Sequence, residues 1–176
     1  TPEKIAAKMG KSVSYVQEKM DSLSMKGVLE YNYDTPDGSR QYVLPIFVPG
    51  AAELMNMNLE QVEAHPEIAK FFERMAFLPL TKITPMVPPG GNGIGMHVIP
   101  VEKAIPATNE SVSIEHISHW LKKYEGQLGV GYCSCRNAMR LMGEGCGEMQ
   151  EELCIAVGTF ARYCTETGKG RDITYE

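Results

Sequence analysis

The sequence predicts an α+β chain that is mainly helical, and three observations carry that expectation. Apolar residues recur at helical spacing through the first 25 positions, an aromatic and β-branched pair of runs separated by a turn signal follows, and all five cysteines fall in the last quarter of the 176 residues. That length fits one ordinary domain or two small ones. With 43% hydrophobic and 22% charged residues the chain can build a packed core, which excludes global disorder. A net charge of -5 gives no reason to expect a nucleic-acid or anionic-membrane partner.

Residues 1–48 read as helix, turn, helix, hairpin. Ile5, Ala6 and Met9 give the first helix its apolar stripe, and Gly10 ends it. Ser12 or Ser14 can cap a second helix bearing Val13, Val16, Met20, Leu23 and Met25, which Gly27 terminates. Val28 to Tyr33 reads as a strand, Thr35-Pro36-Asp37-Gly38 as a turn, and Arg40 to Val48 as the returning strand. This order resembles a winged helix lacking its first helix.

Residues 49–110 are expected to connect. Leu54, Leu59, Val62, Ile68, Phe71, Phe72 and Met75 suggest helical packing interrupted at His65-Pro66. From 77 to 110, Pro79, Pro85, Pro88, Pro89, Pro100 and Pro106 forbid a long helix and favour an extended segment. Met96 to Val101 is expected as a short edge strand. Gly90 to Gly95 superficially resembles a phosphate loop, but no helix and no Lys-Ser/Thr follow, so a plain loop is expected.

Residues 111–176 are expected to form a helical four-cysteine metal-binding domain. Ser113 caps a helix carrying Ile114, Ile117, Trp120 and Leu121, ending in Lys122, Lys123 and Gly126. A further helix is expected from about Met149 to Thr167. Thr1-Pro2-Glu3 opens on helix-start chemistry, and Asp172 to Glu176 reads like the start of another helix. A fragment of a longer protein, with partner domains C-terminal to it, is the expectation.

The chemistry concentrates in Cys133-Ser134-Cys135, Cys146 and Cys154. An odd cysteine count clustered in a chain of this length suggests a metal in a reducing compartment rather than a secreted disulfide scaffold. Four thiolates are the usual ligand number of a [4Fe-4S] cluster. A CxC pair places two sulfurs close together on divergent vectors, and glycines on either side of Cys146 let backbone N–H groups approach sulfide. Zinc is the alternative, but structural four-cysteine zinc sites favour CxxC-like knuckles, which are missing here. Arg136, Arg140, Lys169 and Arg171 are expected to offset cluster charge. Cys164 lies on the stripe Leu153, Val157, Phe160, Cys164 and is expected in the core.

Cys133-x-Cys135, Cys146, Cys154, Gly158 and Gly168-x-Gly170-Arg171-x-Ile173 together resemble an N-terminal module of anaerobic, FAD-dependent, pyridine-nucleotide-linked 4Fe-4S oxidoreductases of the glutamate synthase small-subunit type. The resemblance is best in the cysteine region and looser at the winged-helix start. It implies a cytoplasmic electron-transfer module whose cluster ligands are Cys133, Cys135, Cys146 and Cys154. The implied partners are ferredoxin-like and flavin domains of the parent chain or complex. No flavin or nicotinamide fingerprint occurs in these residues, so no catalytic residue is assigned and the chain is expected to pass electrons rather than catalyse.

Other candidates are weaker. His116 and His119 share one face of an expected helix but read as surface residues, His65 as a turn residue, and His97 as half-buried in a strand. Lys4, Lys8, Lys11, Lys19, Lys26 and Arg40 are balanced by Glu3, Glu18, Asp21, Glu30, Asp34 and Asp37, so residues 1–48 lack the basic footprint of a DNA reader. That balance counts against the first alternative function, a redox- or iron-sensing winged-helix regulator. The second alternative is a structural zinc docking module held by the same four cysteines.

Overall fold

The computed structural model describes residues 1–45, 50–76, 117–145 and 152–174. The fold is α+β and mainly helical, as expected. The Pro-rich stretch at 77–110, the expected strand at 96–101, His97, Ser113, His116 and Cys146 lie outside the described residues.

Helix α1, Pro2–Met9, has Pro2 in its first turn, where its missing N–H has no helical partner to lose. It stops at Gly10, which takes a left-handed φ of 62°. Helix α2, Val13–Met25, starts where Ser12 Oγ accepts the Tyr15 N–H at 3.2 Å. Ala6, Val16 and Met20 bury the contact between the two helices, against Leu29 and Tyr42. Strands β1, Glu30–Asn32, and β2, Gln41–Val43, pair antiparallel with Tyr31 opposite Tyr42. β1 is shorter than the expected run Val28 to Tyr33; of the expected returning strand Arg40 to Val48, Gln41–Val43 pair, and residues 46–48 lie outside the described residues. Arg40 ties this hairpin in place, lying over the Tyr31 ring at 4.1 Å and bridging Asp21 at 2.8 Å and Glu166 at 3.3 Å.

Three short helices follow: α3, Ala52–Asn56; α4, Leu59–Ala64; and α5, Glu67–Ala76. The break between the last two falls at His65-Pro66, where proline disfavours a helical residue before it. Helix α6, Ile117–Lys123, carries the exposed His119 beside Trp120.

The C-terminal part departs from the expected mainly helical arrangement. It runs β3, Leu128–Tyr132; α7, Ser134–Leu141; β4, Glu152–Val157; α8, Thr159–Glu166; and β5, Gly170–Ile173. The three strands form one antiparallel sheet in the order β4-β3-β5. The helix expected from Met149 to Thr167 is therefore strand as far as Val157 and helix only from Thr159. Gly158 divides them, with φ 64° and ψ -145°, a conformation incompatible with a continuing helix. Of the residues Asp172 to Glu176, expected to start a further helix, Asp172 and Ile173 belong to the edge strand β5, and Tyr175 and Glu176 lie outside the described residues.

One core cluster joins Tyr31, Leu54 and Met57 to Ala156, Ala161, Tyr163 and Cys164, so all three stretches of sequence contribute to it. Tyr163 is fully buried, its ring meeting Tyr31 edge-on at 4.9 Å. Burial of such a side chain contributes about 1.5–3 kcal/mol. Its hydroxyl is satisfied by the carbonyls of Leu29 at 2.9 Å and Ser24 at 3.1 Å. Among the described residues no helix is long and apolar enough to cross a membrane.

Candidate metal centre

Cys133 sits in the bend that joins β3 to α7, as the N-cap of the helix. Its Sγ accepts the Arg136 N–H at 3.5 Å, a sulfur standing where Ser or Asp commonly cap. The helix thus presents N–H groups and the positive end of its dipole to the first thiol of the CxC pair. Cys135, one residue into the helix, is exposed, and Ser134 Oγ lies 3.9 Å from its Sγ.

Cys154 comes to the same place by strand pairing. In the register of β3 with β4 it stands opposite Gly131, two residues before Cys133, and the register slips just beyond, between Gly131 and Tyr132. Gly131 also faces Gly170 of β5, so Cys154, Gly131 and Gly170 lie at one level across the sheet. Glycine is a packing requirement at Gly170, where the clash is with backbone, whereas at Gly131 it is with a side-chain end that can shift. A Cβ on Gly131 would come within 2.6 Å of Met57 Cε, and one on Gly170 within 2.3 Å of the Val130 carbonyl oxygen.

Burial and the neighbouring thiols act in one direction. Burial first, then the charge of Cys133, a hydrogen bond with Cys133 and the charge of Cys135 push the Cys154 thiol up to about 11. Cys135 is raised by burial, with Cys133 and Glu53 adding to it. Charge on Cys133 thus disfavours the thiolate at both Cys135 and Cys154. A bound cation reverses that penalty, because metal ligation requires the thiolates it stabilises.

Among the described residues, no group of three or more His, Cys, Asp or Glu side chains is drawn together closely enough to hold a metal ion. Cys133, Cys135 and Cys154 are neighbours without being a closed ligand set, and Cys146 falls outside the described residues. Cys164 is 1% exposed within the core cluster, and burial pushes its thiol up to about 12.

The expected compensating cations divide. Lys169 is buried and turned toward α2, where its Nζ donates to the carbonyls of Ser24 and Met25, so it does not serve the cysteines. Arg140 donates to Asn137 Oδ1 at 2.9 Å and reaches Glu63 at 3.4 Å, bracing α7 from the side. Asn137 in turn donates to the Asn56 carbonyl at 2.8 Å, which fixes α7 on the end of α3. Sequence reasoning missed Asn137, Asn56 and Met57 as the props of this site. Only their pattern of burial marks them, and that follows from tertiary contacts.

No protein-family model, curated protein or solved structure matches this chain.

Proposed function

We propose that the chain is a [4Fe-4S] electron-transfer module of a larger cytoplasmic oxidoreductase, with Cys133, Cys135, Cys146 and Cys154 as ligands. The observation that supports it most is the meeting of Cys154 with the CxC pair through the β3–β4 register, although 18 residues separate Cys154 from Cys135 in sequence. A bound cluster would supply one-electron chemistry at a potential set by burial, charge and hydrogen bonds to sulfur. The chain's own share is to cap α7 with Cys133, to carry Cys135 on its first turn and to hold Cys154 against both. The ferredoxin-like and flavin domains implied by the family resemblance would be its electron partners.

Within this proposal residues 1–48 are a winged-helix-like unit without a first helix, serving as a packing element for the cysteine domain. The union of Tyr31 with Tyr163 and of Arg40 with Glu166 favours this over a nucleic-acid role. The charge balance of the segment points the same way.

The test is anaerobic reconstitution with ferrous iron and sulfide, followed by iron and sulfide analysis of single Cys→Ala variants. Replacing Cys133, Cys135, Cys146 or Cys154 is expected to lower bound iron to half or less of the parent value, whereas Cys164→Ala keeps it. Equal iron loss on replacing Cys164, or no loss on replacing Cys154, would sink the ligand assignment.

A further inference from the structure

Cys133 and Cys154 share one face of the β4-β3-β5 sheet. Cys154 stands opposite Gly131 in the β3–β4 register, and residues directly opposite each other point to the same side. Beyond Gly131 the chain stays extended through Cys133, at φ -76° and ψ 106°, so Cys133, two residues on, points to that side as well. The two cysteines are thus diagonal neighbours, which stand roughly 7–8 Å apart in a regular ladder. Here the ladder is irregular. The register slips between Gly131 and Tyr132, which pairs with Glu152, and a bulge of this kind bends its strand and re-aims side chains. The thiols of Cys133 and Cys154 share a hydrogen bond at that bend.

Among the described residues, the other cysteines are set apart by position. Cys135 lies two residues past Cys133 at the start of α7, a spacing at which helical side chains do not face each other. Cys164 is buried in the core cluster, out of reach of an oxidant in solution. Cys154 is exposed and Cys133 half-buried, so the pair is open to a small thiol reagent.

We propose that Cys133 and Cys154 form a reversible dithiol–disulfide pair, closed by oxidised glutathione and opened by reduced glutathione. One thiol of the pair displaces a glutathione thiol to give a mixed disulfide; the other attacks the protein sulfur of that bond and displaces the second. Two protein S–H bonds and one glutathione S–S bond become one Sγ–Sγ bond and two glutathione S–H bonds. Two electrons pass from the protein to glutathione. The closed bond pins β4 to the N-cap of α7, and its exposed sulfur keeps it open to reductant, as in a labile rather than a structural disulfide. The proposal does not rest on the cluster reading, because it needs only these two thiols free of metal.

The test treats the whole chain, reduced and stripped of metal with a chelator, with excess oxidised glutathione under argon. Non-reduced peptide mapping of the parent is expected to join Cys133 to Cys154 within single chains, and dithiothreitol to separate them. In a chain carrying Cys135→Ser and Cys146→Ser, both thiols are expected to disappear without retained glutathione. Adding Cys154→Ser is expected to abolish the bond and leave glutathione on Cys133. If the double variant loses its near-ultraviolet circular dichroism, fragmentation of the joined peptides from the parent assigns the bonded sulfurs instead. A bond from Cys133 to Cys135, a bond from either cysteine to Cys146, a disulfide between chains, or glutathione adducts alone would overturn the pair. Iron and sulfide analysis of the reduced, reconstituted chain tests the cluster separately, and neither result decides the other.

Discussion

Replacing Gly170 with alanine is expected to damage the fold at the level of the cysteines, and the size of the effect follows from distances. The new Cβ would stand 2.3 Å from the Val130 carbonyl oxygen and 2.8 Å from Gly131 Cα, both backbone atoms that no rotamer change can move aside. β5 must therefore separate from β3 at the Gly131–Gly170 pair, and the Tyr132 N–H to Lys169 carbonyl bond at 2.9 Å goes with it. Overpacking of about 1–3 kcal/mol and about 1 kcal/mol for the lost bond give roughly 2–4 kcal/mol in total. Urea titration followed by far-ultraviolet circular dichroism measures it, with Gly126→Ala as control. Gly126 has φ 77° but open space where a Cβ would stand, so its replacement carries only the left-handed backbone penalty of about 1–2 kcal/mol. A Gly170→Ala loss below about 0.5 kcal/mol, or one smaller than that of Gly126→Ala, would refute the steric reasoning.

Tyr163→Phe removes the hydroxyl that donates to Leu29 at 2.9 Å and Ser24 at 3.1 Å; a loss of about 1–2 kcal/mol is expected in the same titration. Ser24 keeps Lys169 as a donor, so a loss well above that range would show that the ring itself had shifted. Burial lowers the Lys169 amine from 10.5 to about 8. Between those values the unfolded chain holds a proton that the folded chain lacks, so this amine contributes up to about 3 kcal/mol of stability that grows with pH, opposed above about pH 9 by the raised Cys154 and Cys164 thiols. Lys169→Met is expected to lose that part of the slope, and identical pH profiles for parent and variant would contradict it. Cys164→Ala is expected to cost about 1 kcal/mol in stability, because it trims a side chain that is 1% exposed. A stability loss without iron loss is the expected pair of readings for Cys164, whereas Cys133→Ala, which also removes the cap of α7, is expected to lower both.

The N-terminal elements are legible in the sequence because their signals are local. Pro2, Gly10, Ser12 and Gly27 each act within one turn of the chain, and α1 and α2 begin and end where those residues dictate. The sheet is illegible for physical reasons. In β3, Gly129 and Gly131 dilute the apolar alternation, and both are small because Ala161 and Met57 pack directly over them. The stripe Leu153, Val157, Phe160, Cys164 has helical spacing yet crosses a strand and a helix, and Gly158 is the signal that divides it. The CxC pair and Cys154 can be read as partners from residue type alone, but the pairing of Cys154 with Gly131 that brings them together is a long-range fact. The charge of Lys169 suits the cysteines, whereas the turn after α8 points it at α2.

The most direct test of the cluster assignment is the visible and electron paramagnetic resonance spectrum of anaerobically purified protein, with iron, sulfide and zinc counted on the same sample. About four irons and four sulfides per chain, a broad band near roughly 400 nm that bleaches with dithionite, and a paramagnetic signal on one-electron reduction are predicted. A colourless protein holding about one zinc, or a strictly anaerobic preparation free of metal, would contradict it.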